Sequence, residues 1–191
     1  VAGTVVAMRL IDDPNSNYVA LMAEETTGED IFGEIYNPNS NVWQNQLELE
    51  LSTAACDFCI DFDGAWTSSS GHFMAVWFDL SGTDDLEYNV YNKTTGSWSF
   101  VADSDVTAVI TGTTTNPYVR VAANPSNDDI TVATLVGTAS VITDTWRISS
   151  GWGTDVSQDT GTTLTATEIL LDIAYENNGD DDYPEFMLKA A

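Results

Sequence analysis

His72 is the only histidine of the 191-residue chain, so any Ser-His-Asp relay would have to run through it. No G-x-S-x-G elbow, phosphate-binding glycine loop or dinucleotide fingerprint accompanies it. Cys56 and Cys59 make a single C-x-x-C. Ile60 stands where a c-type haem site needs histidine, and no second C-x-x-C or histidine pair completes a zinc site. The spacing therefore reads as a local disulfide or two packed thiols. A two-carboxylate glycosidase site needs a marked pair of acids, and among thirty Asp and Glu nothing marks one. No catalytic residue is assigned.

The acids cluster in loops. Asp12-Asp13-Pro14-Asn15, Asn127-Asp128-Asp129 and Asn178-Gly179-Asp180-Asp181-Asp182 fall between apolar runs, as do Glu29-Asp30 and Asp84-Asp85. Calcium takes six to eight hard oxygen ligands in a flexible geometry, and loops of Asp and Asn supply them. Asp128, Asp129, Asp180, Asp181 and Asp182 are the calcium candidates. Neither the EF-hand spacing nor the β-roll repeat is present, and Thr67-Ser68-Ser69-Ser70 replaces the acids at one equivalent position.

That equivalence comes from the elements that must carry these loops. Shifted by 55 residues, Ala20, Asp30, Tyr36, Asn37 and Trp43 fall on Ala75, Asp85, Tyr91, Asn92 and Trp98, without a gap from Tyr18 to Trp43. A looser third copy carries Ile130-Thr131-Val132-Ala133 and Trp152, with Trp146 in the role of Tyr91. A fourth begins at Leu171-Asp172-Ile173-Ala174-Tyr175 and stops half complete. Within the second copy, Leu86, Tyr88 and Val90 alternate with Glu87 and Asn89 at the strand period. Ser68-Ser69-Ser70-Gly71, Ser81-Gly82-Thr83-Asp84 and Lys93-Thr94-Thr95-Gly96 supply the turns. No amphipathic helix is visible.

The expected fold is all-β: four-stranded antiparallel repeats of about 55 residues, stacked as β-propeller blades. The copies span residues 1–55, 56–111 and 112–168, with a half blade at 169–191. Phe62-Asp63-Gly64-Ala65-Trp66, Gly71-His72-Phe73-Met74-Ala75-Val76-Trp77, Tyr88-Asn89-Val90-Tyr91 and Gly96-Ser97-Trp98-Ser99 together resemble a blade pattern of large bacterial and archaeal cell-surface proteins. The resemblance covers nearly the whole chain and implies that fold in an extracellular or cell-surface setting. The hairpin Asn92 to Trp98 is distantly similar to the Asp-box turn of sialidase-like propellers, but lacks its Asp, and sialidase activity is not carried over.

Placed on such blades, Asp63 and Asp172 share a position in the first strand, where the third copy has Arg120 and the first, in this alignment, Met8. Asp63, Arg120 and Asp172 are therefore candidate ligand-binding residues of a central channel, or an Asp–Arg pairing between neighbours. Trp152 is a candidate for stacking on a sugar ring or a packing anchor. His72 replaces Asn17 of the first copy and reads as an exposed turn residue.

Five Lys and Arg against thirty acids give a net charge of −25. Such a surface repels phosphates, which argues against nucleic-acid binding, and no apolar run reaches the ~18 residues that span a bilayer. Three and a half blades do not close a ring, so partners are expected to be other protein chains, through self-assembly or strand completion, or the rest of a longer parent polypeptide. The expected function is a non-enzymatic scaffold for adhesion, cell-surface assembly or filament formation. A carbohydrate-binding or carbohydrate-cleaving propeller and a calcium-stabilised module are the alternatives.

Overall fold

Left-handed residues punctuate the chain at equal intervals: Asn41 (φ 56°), Gly96 (φ 68°) and Gly151 (φ 76°) each end a tight hairpin. The computed structural model describes residues 3–25, 30–50, 61–79, 85–99, 104–105, 118–136, 140–153, 156–159, 169–175 and 184–190. Every regular element among the described residues is a β-strand. Sheet I contains β1 (Val5–Asp12), β2 (Val19–Glu25), β3 (Ile31–Asn37) and β4 (Val42–Glu50) in that order. Sheet II contains β5 (Phe62–Trp66), β6 (His72–Asp79), β7 (Asp85–Asn92) and β8 (Ser97–Trp98), with β9 (Ser104–Asp105) continuing along β7. Sheet III repeats this with β10 (Val119–Ala123), β11 (Ile130–Val136), β12 (Ser140–Arg147), β13 (Gly151–Trp152) and β14 (Val156–Asp159). Sheet IV has β15 (Ile169–Tyr175) and β16 (Pro184–Ala190). Among the described residues all pairs are antiparallel, and no strand pairing joins one sheet to the next.

The hairpin before each left-handed residue explains its spacing. Asn41 N donates to Asn37 O and Gly96 N to Asn92 O, both at 2.8 Å. The Asn37 and Asn92 side chains take up further turn amides, Asn39 N at 2.9 Å and Thr94 N at 2.9 Å. The next residues then open the fourth strand with an aromatic. Trp43 pairs with Tyr36, Trp98 with Tyr91, and Trp152 with Trp146.

Sheet-on-sheet packing forms the core. Ala20, Met22, Ile35 and Leu49 of sheet I meet Phe62, Trp66, Phe73, Ala75, Trp77 and Tyr91 of sheet II. The other face of sheet II places Met74, Val76, Phe78 and Val90 against Val119, Ile130, Val132 and Trp146 of sheet III. Tyr118, Ala133, Leu135 and Val141 then meet Leu171 and Ile173 of sheet IV. β6 is therefore apolar on both faces because it lies between two sheets. Phe62, Trp66, Phe73, Trp77, Phe78 and Tyr91 are fully buried, each removing apolar surface worth about 2–3 kcal/mol.

The ladders correct the repeat register. Ala20 lies opposite Ile35, and the corresponding pair in sheet II is Met74 opposite Val90. The third and fourth strands repeat at 55 residues, but the first and second strands repeat at 54. The β6–β7 connection is one residue longer than the β2–β3 connection. The gapless sequence match of Ala20 with Ala75 thus crosses a single-residue slip, and in a strand one residue exchanges the faces.

Candidate functional site: a charged row along the first strands

With the ladder register, one position of the first strand is charged in all four sheets. Arg9 lies opposite Met22, Asp63 opposite Val76, Arg120 opposite Ala133 and Asp172 opposite Met187. β1 lies against β5, β5 against β10 and β10 against β15, so the charges follow one another as plus, minus, plus, minus. Arg9 replaces Met8 as the member from the first copy. Met8 points to the opposite face of sheet I, where it is 61% exposed.

The row is built around Asp63, a buried residue. Its Oδ1 forms an ion pair with Arg9 Nη1 and accepts from Gly64 N at 2.8 Å. Its Oδ2 accepts from Val121 N of sheet III at 3.0 Å. Burial pushes the Asp63 carboxyl above its ordinary range, opposed by the Arg9 charge and the two amides. Burial also lowers the Arg120 guanidinium, and the Arg9 charge adds to this, while Asp63 and Asp172 act against it. Arg120 Nη1 donates to Val119 O at 2.9 Å. Asp172 ends the row, exposed, with its Oδ1 accepting from Ile173 N at 3.0 Å. Of the candidate channel ligands, Asp63 is consumed by contacts between sheets, and Asp172 has an open side. Gly64 is the only residue type that fits beside Asp63: a Cβ there would meet the Phe73 ring and, at 2.7 Å, Met74 O.

The acidic loops are joined in a second row, at the turns between first and second strands. The Asn15 side chain donates to Ser68 O, and Ser68 Oγ to Asn127 O. Asp128 Oδ1 accepts from Ser69 N at 2.7 Å, Ser70 N at 3.0 Å and Ser69 Oγ at 3.0 Å. Burial works against ionisation of Asp128, but the Ser70 and Ser69 amides outweigh it and hold the carboxyl below its usual range. Asp129 pairs with Arg147 at 3.3 Å. Asp13 accepts from Lys93 Nζ at 2.6 Å and Asn15 N at 2.9 Å, and Lys93 sits 4.9 Å over the Tyr18 ring. For Asp13, too, burial raises the carboxyl, while Lys93, Ser16 and Asn15 together bring it below normal. The serines that interrupt the acidic pattern are thus the donors that Asp128 needs. No group of three or more His, Cys, Asp or Glu among the described residues is arranged to hold a metal ion. Asp180, Asp181, Asp182, Cys56 and Cys59 lie outside the described residues.

His72 departs from its reading as an exposed turn residue, and Trp152 takes the packing-anchor place. His72 is half-buried, its Nδ1 2.5 Å from Ser70 Oγ, and burial lowers its pKa against the pull of Asp128. Trp152 is also half-buried, packed edge-on against Tyr88 at 5.1 Å. Trp98 takes the same place one sheet earlier, with Nε1 donating to Asn45 O of β4 at 2.8 Å. His72, Tyr88, Val90, Ser99, Trp146 and Ile148 line a cleft between sheets II and III.

One group escaped the sequence reading. Asp61, just ahead of β5, is 1% exposed, and neither of its carboxylate oxygens has a hydrogen-bond partner on another described residue, its own backbone amide being the group that acts against burial. Burial pushes its pKa up to about 6. Nothing in the spacing of Asp57, Asp61 and Asp63 distinguishes it.

No protein-family model matches the sequence, and no curated protein is similar to it. The fold is similar to that of AofleA from Arthrobotrys oligospora, with a TM-score of 0.56 at 13% identity over 95% of this chain and 49% of that one. A variant of AofleA with three arginines changed to alanine gives a TM-score of 0.58 at 13% identity, over 90% and 46%. The chain therefore spans about half the length of these structures. The likeness is one of fold, an antiparallel all-β architecture of repeated sheets.

Proposed function

We propose that the sheets are propeller-type blades and that the chain is a non-enzymatic scaffold for adhesion or assembly at a cell surface. The observation that carries this reading is the commitment of its charged residues to joining sheets. Asp63 holds Arg9 and Val121 N, Asp128 holds the serine turn, and Asp13 holds Lys93. A general acid or base has to reach a substrate proton, whereas these carboxylates are spent on neighbouring sheets. An exterior with a net charge of −25 suits a soluble extracellular setting. A glycan and cell-surface array combined with a glycoside hydrolysis screen tests the reading. Binding without turnover is expected; hydrolysis that Asp172→Asn abolishes would overturn it.

A carbohydrate-binding function is the second reading, favoured by the cleft of His72, Tyr88, Trp146 and Ile148. Tyr88 and Trp146 offer apolar faces, and His72 and Ser99 polar groups, for a hydroxylated ring. Loss of array binding in Tyr88→Ala, with the thermal transition retained, would assign the contact to that cleft.

A further inference from the structure

The two ends of the array are complementary to each other. Sheet I turns an apolar face away from sheet II: Val6, Met8 and Leu10 of β1 are 55%, 61% and 58% exposed, and Trp43, on β4 at the other edge, is 42% exposed. In the ladder register Met8 corresponds to Phe62 and Leu10 to Gly64, positions that sheet I covers in sheet II. At the other end, sheet IV exposes Asp172 and Ala174, while Leu171 and Ile173 are buried against sheet III. Ala174 corresponds to Ala65, which is 8% exposed between sheets II and III.

We infer that a second copy of this chain docks head to tail, its sheet IV covering the exposed face of sheet I. This rests on reading the sheets as stacked propeller-type blades. Two observations select a second copy. The row of charges ends in an acid, Asp172, and begins with a base, Arg9, so a copy placed end to end continues the alternation. Asp63 Oδ2 accepts from Val121 N of the next sheet, and Leu10 is the counterpart of Val121 in sheet I. Asp172 of one copy thereby gains the Leu10 amide of the other as its donor, with Arg9 beside it. A head-to-tail contact is heterologous, using two different surfaces of each copy.

Light scattering and sedimentation of the purified 191-residue chain, from 1 to 200 µM and in 0.1 and 1 M NaCl, read the association. A mass of at least twice 20.7 kDa is expected, with tighter association in high salt because screening relieves the repulsion between two chains of −25. Leu10→Lys disables one surface and Ala174→Arg the other; both residues are exposed, and circular dichroism verifies their folds. Each variant alone is expected to associate at least about 30-fold more weakly, as for the loss of an interface anchor. A mixture of the two is expected to recover one heterodimer, through the intact surface on each. Asp172→Asn should weaken association about tenfold, as for a lost charge-assisted hydrogen bond. A monomer under all conditions would overturn the inference, as would an Ala174→Arg variant that associates normally. A monomer that still binds glycans without turnover would leave the scaffold reading standing, whereas a dimer that hydrolyses them would overturn only that reading.

Discussion

Asp61 and Asp63 lie two residues apart, are both buried, and have opposite circumstances. Asp63 has an arginine and two amides, while Asp61 has no partner on any other described residue. A carboxyl with a folded pKa of about 6 and an ordinary unfolded value binds more protons folded than unfolded between pH 4 and 6. Its burial therefore costs little at pH 4, and the cost grows as pH rises through 6. Asp61→Asn is expected to stabilise the protein at pH 7.5 by up to about 3 kcal/mol, with the gain shrinking toward pH 4. Thermal unfolding of both proteins across that range measures it. Arg9→Ala acts in the other direction, leaving the buried Asp63 carboxylate without its cation. The loss should be about 2–3 kcal/mol in urea unfolding, below that of a fully buried pair because Arg9 is a third exposed. Gly64→Ala should cost about 1–3 kcal/mol by overpacking against Phe73 and Met74 O. Of these residues, only Asp63 was legible as a candidate. Arg9 was hidden by a one-residue slip, and Asp61 by having no sequence neighbour that reports burial.

At the level of strands and turns, the sequence was more readable. The alternation of β7 and the Gly96 turn appear in the structure where their residues placed them. These features are local, set by a strand period and by turns that require positive φ. Register across a loop is not local. Tyr36 and Trp43 matched Tyr91 and Trp98 correctly because they share one tight hairpin, while Ala20 was misplaced across the β2–β3 connection, which is shorter by one residue. What the acidic loops join was hidden for a related reason: Asp128 finds its donors in Ser69 and Ser70, more than fifty residues earlier. Asp128→Ala is expected to lower the melting temperature at pH 7. The difference should begin to fade as pH falls past the ordinary carboxylate value of the unfolded chain and be lost as it falls through the depressed pKa of the folded Asp128, since the carboxylate contributes only while ionised. Paired melts at pH 7 and pH 2.5 check this.

Taken whole, the molecule is a stack of sheets carrying thirty acids and five bases. Three of those bases, Arg9, Lys93 and Arg147, form ion pairs with acids, and two of these pairs join different sheets. Self-repulsion of the remaining acids is screened by salt, so the melting temperature should rise between 0.05 and 1 M NaCl. A flat or falling response in a thermal scan would show that the ion pairs, which salt weakens, outweigh the repulsion.

The alternation of Arg9, Asp63, Arg120 and Asp172 also constrains how such a gene can change. Recombination that adds or deletes a single internal repeat would bring two arginines or two aspartates together on the facing first strands of adjacent sheets, where like charges repel at short range. Loss or gain of two repeats restores the order. A lineage of these proteins is therefore expected to lengthen and shorten by pairs, a parity that the charges impose and the apolar core, indifferent to sign, does not.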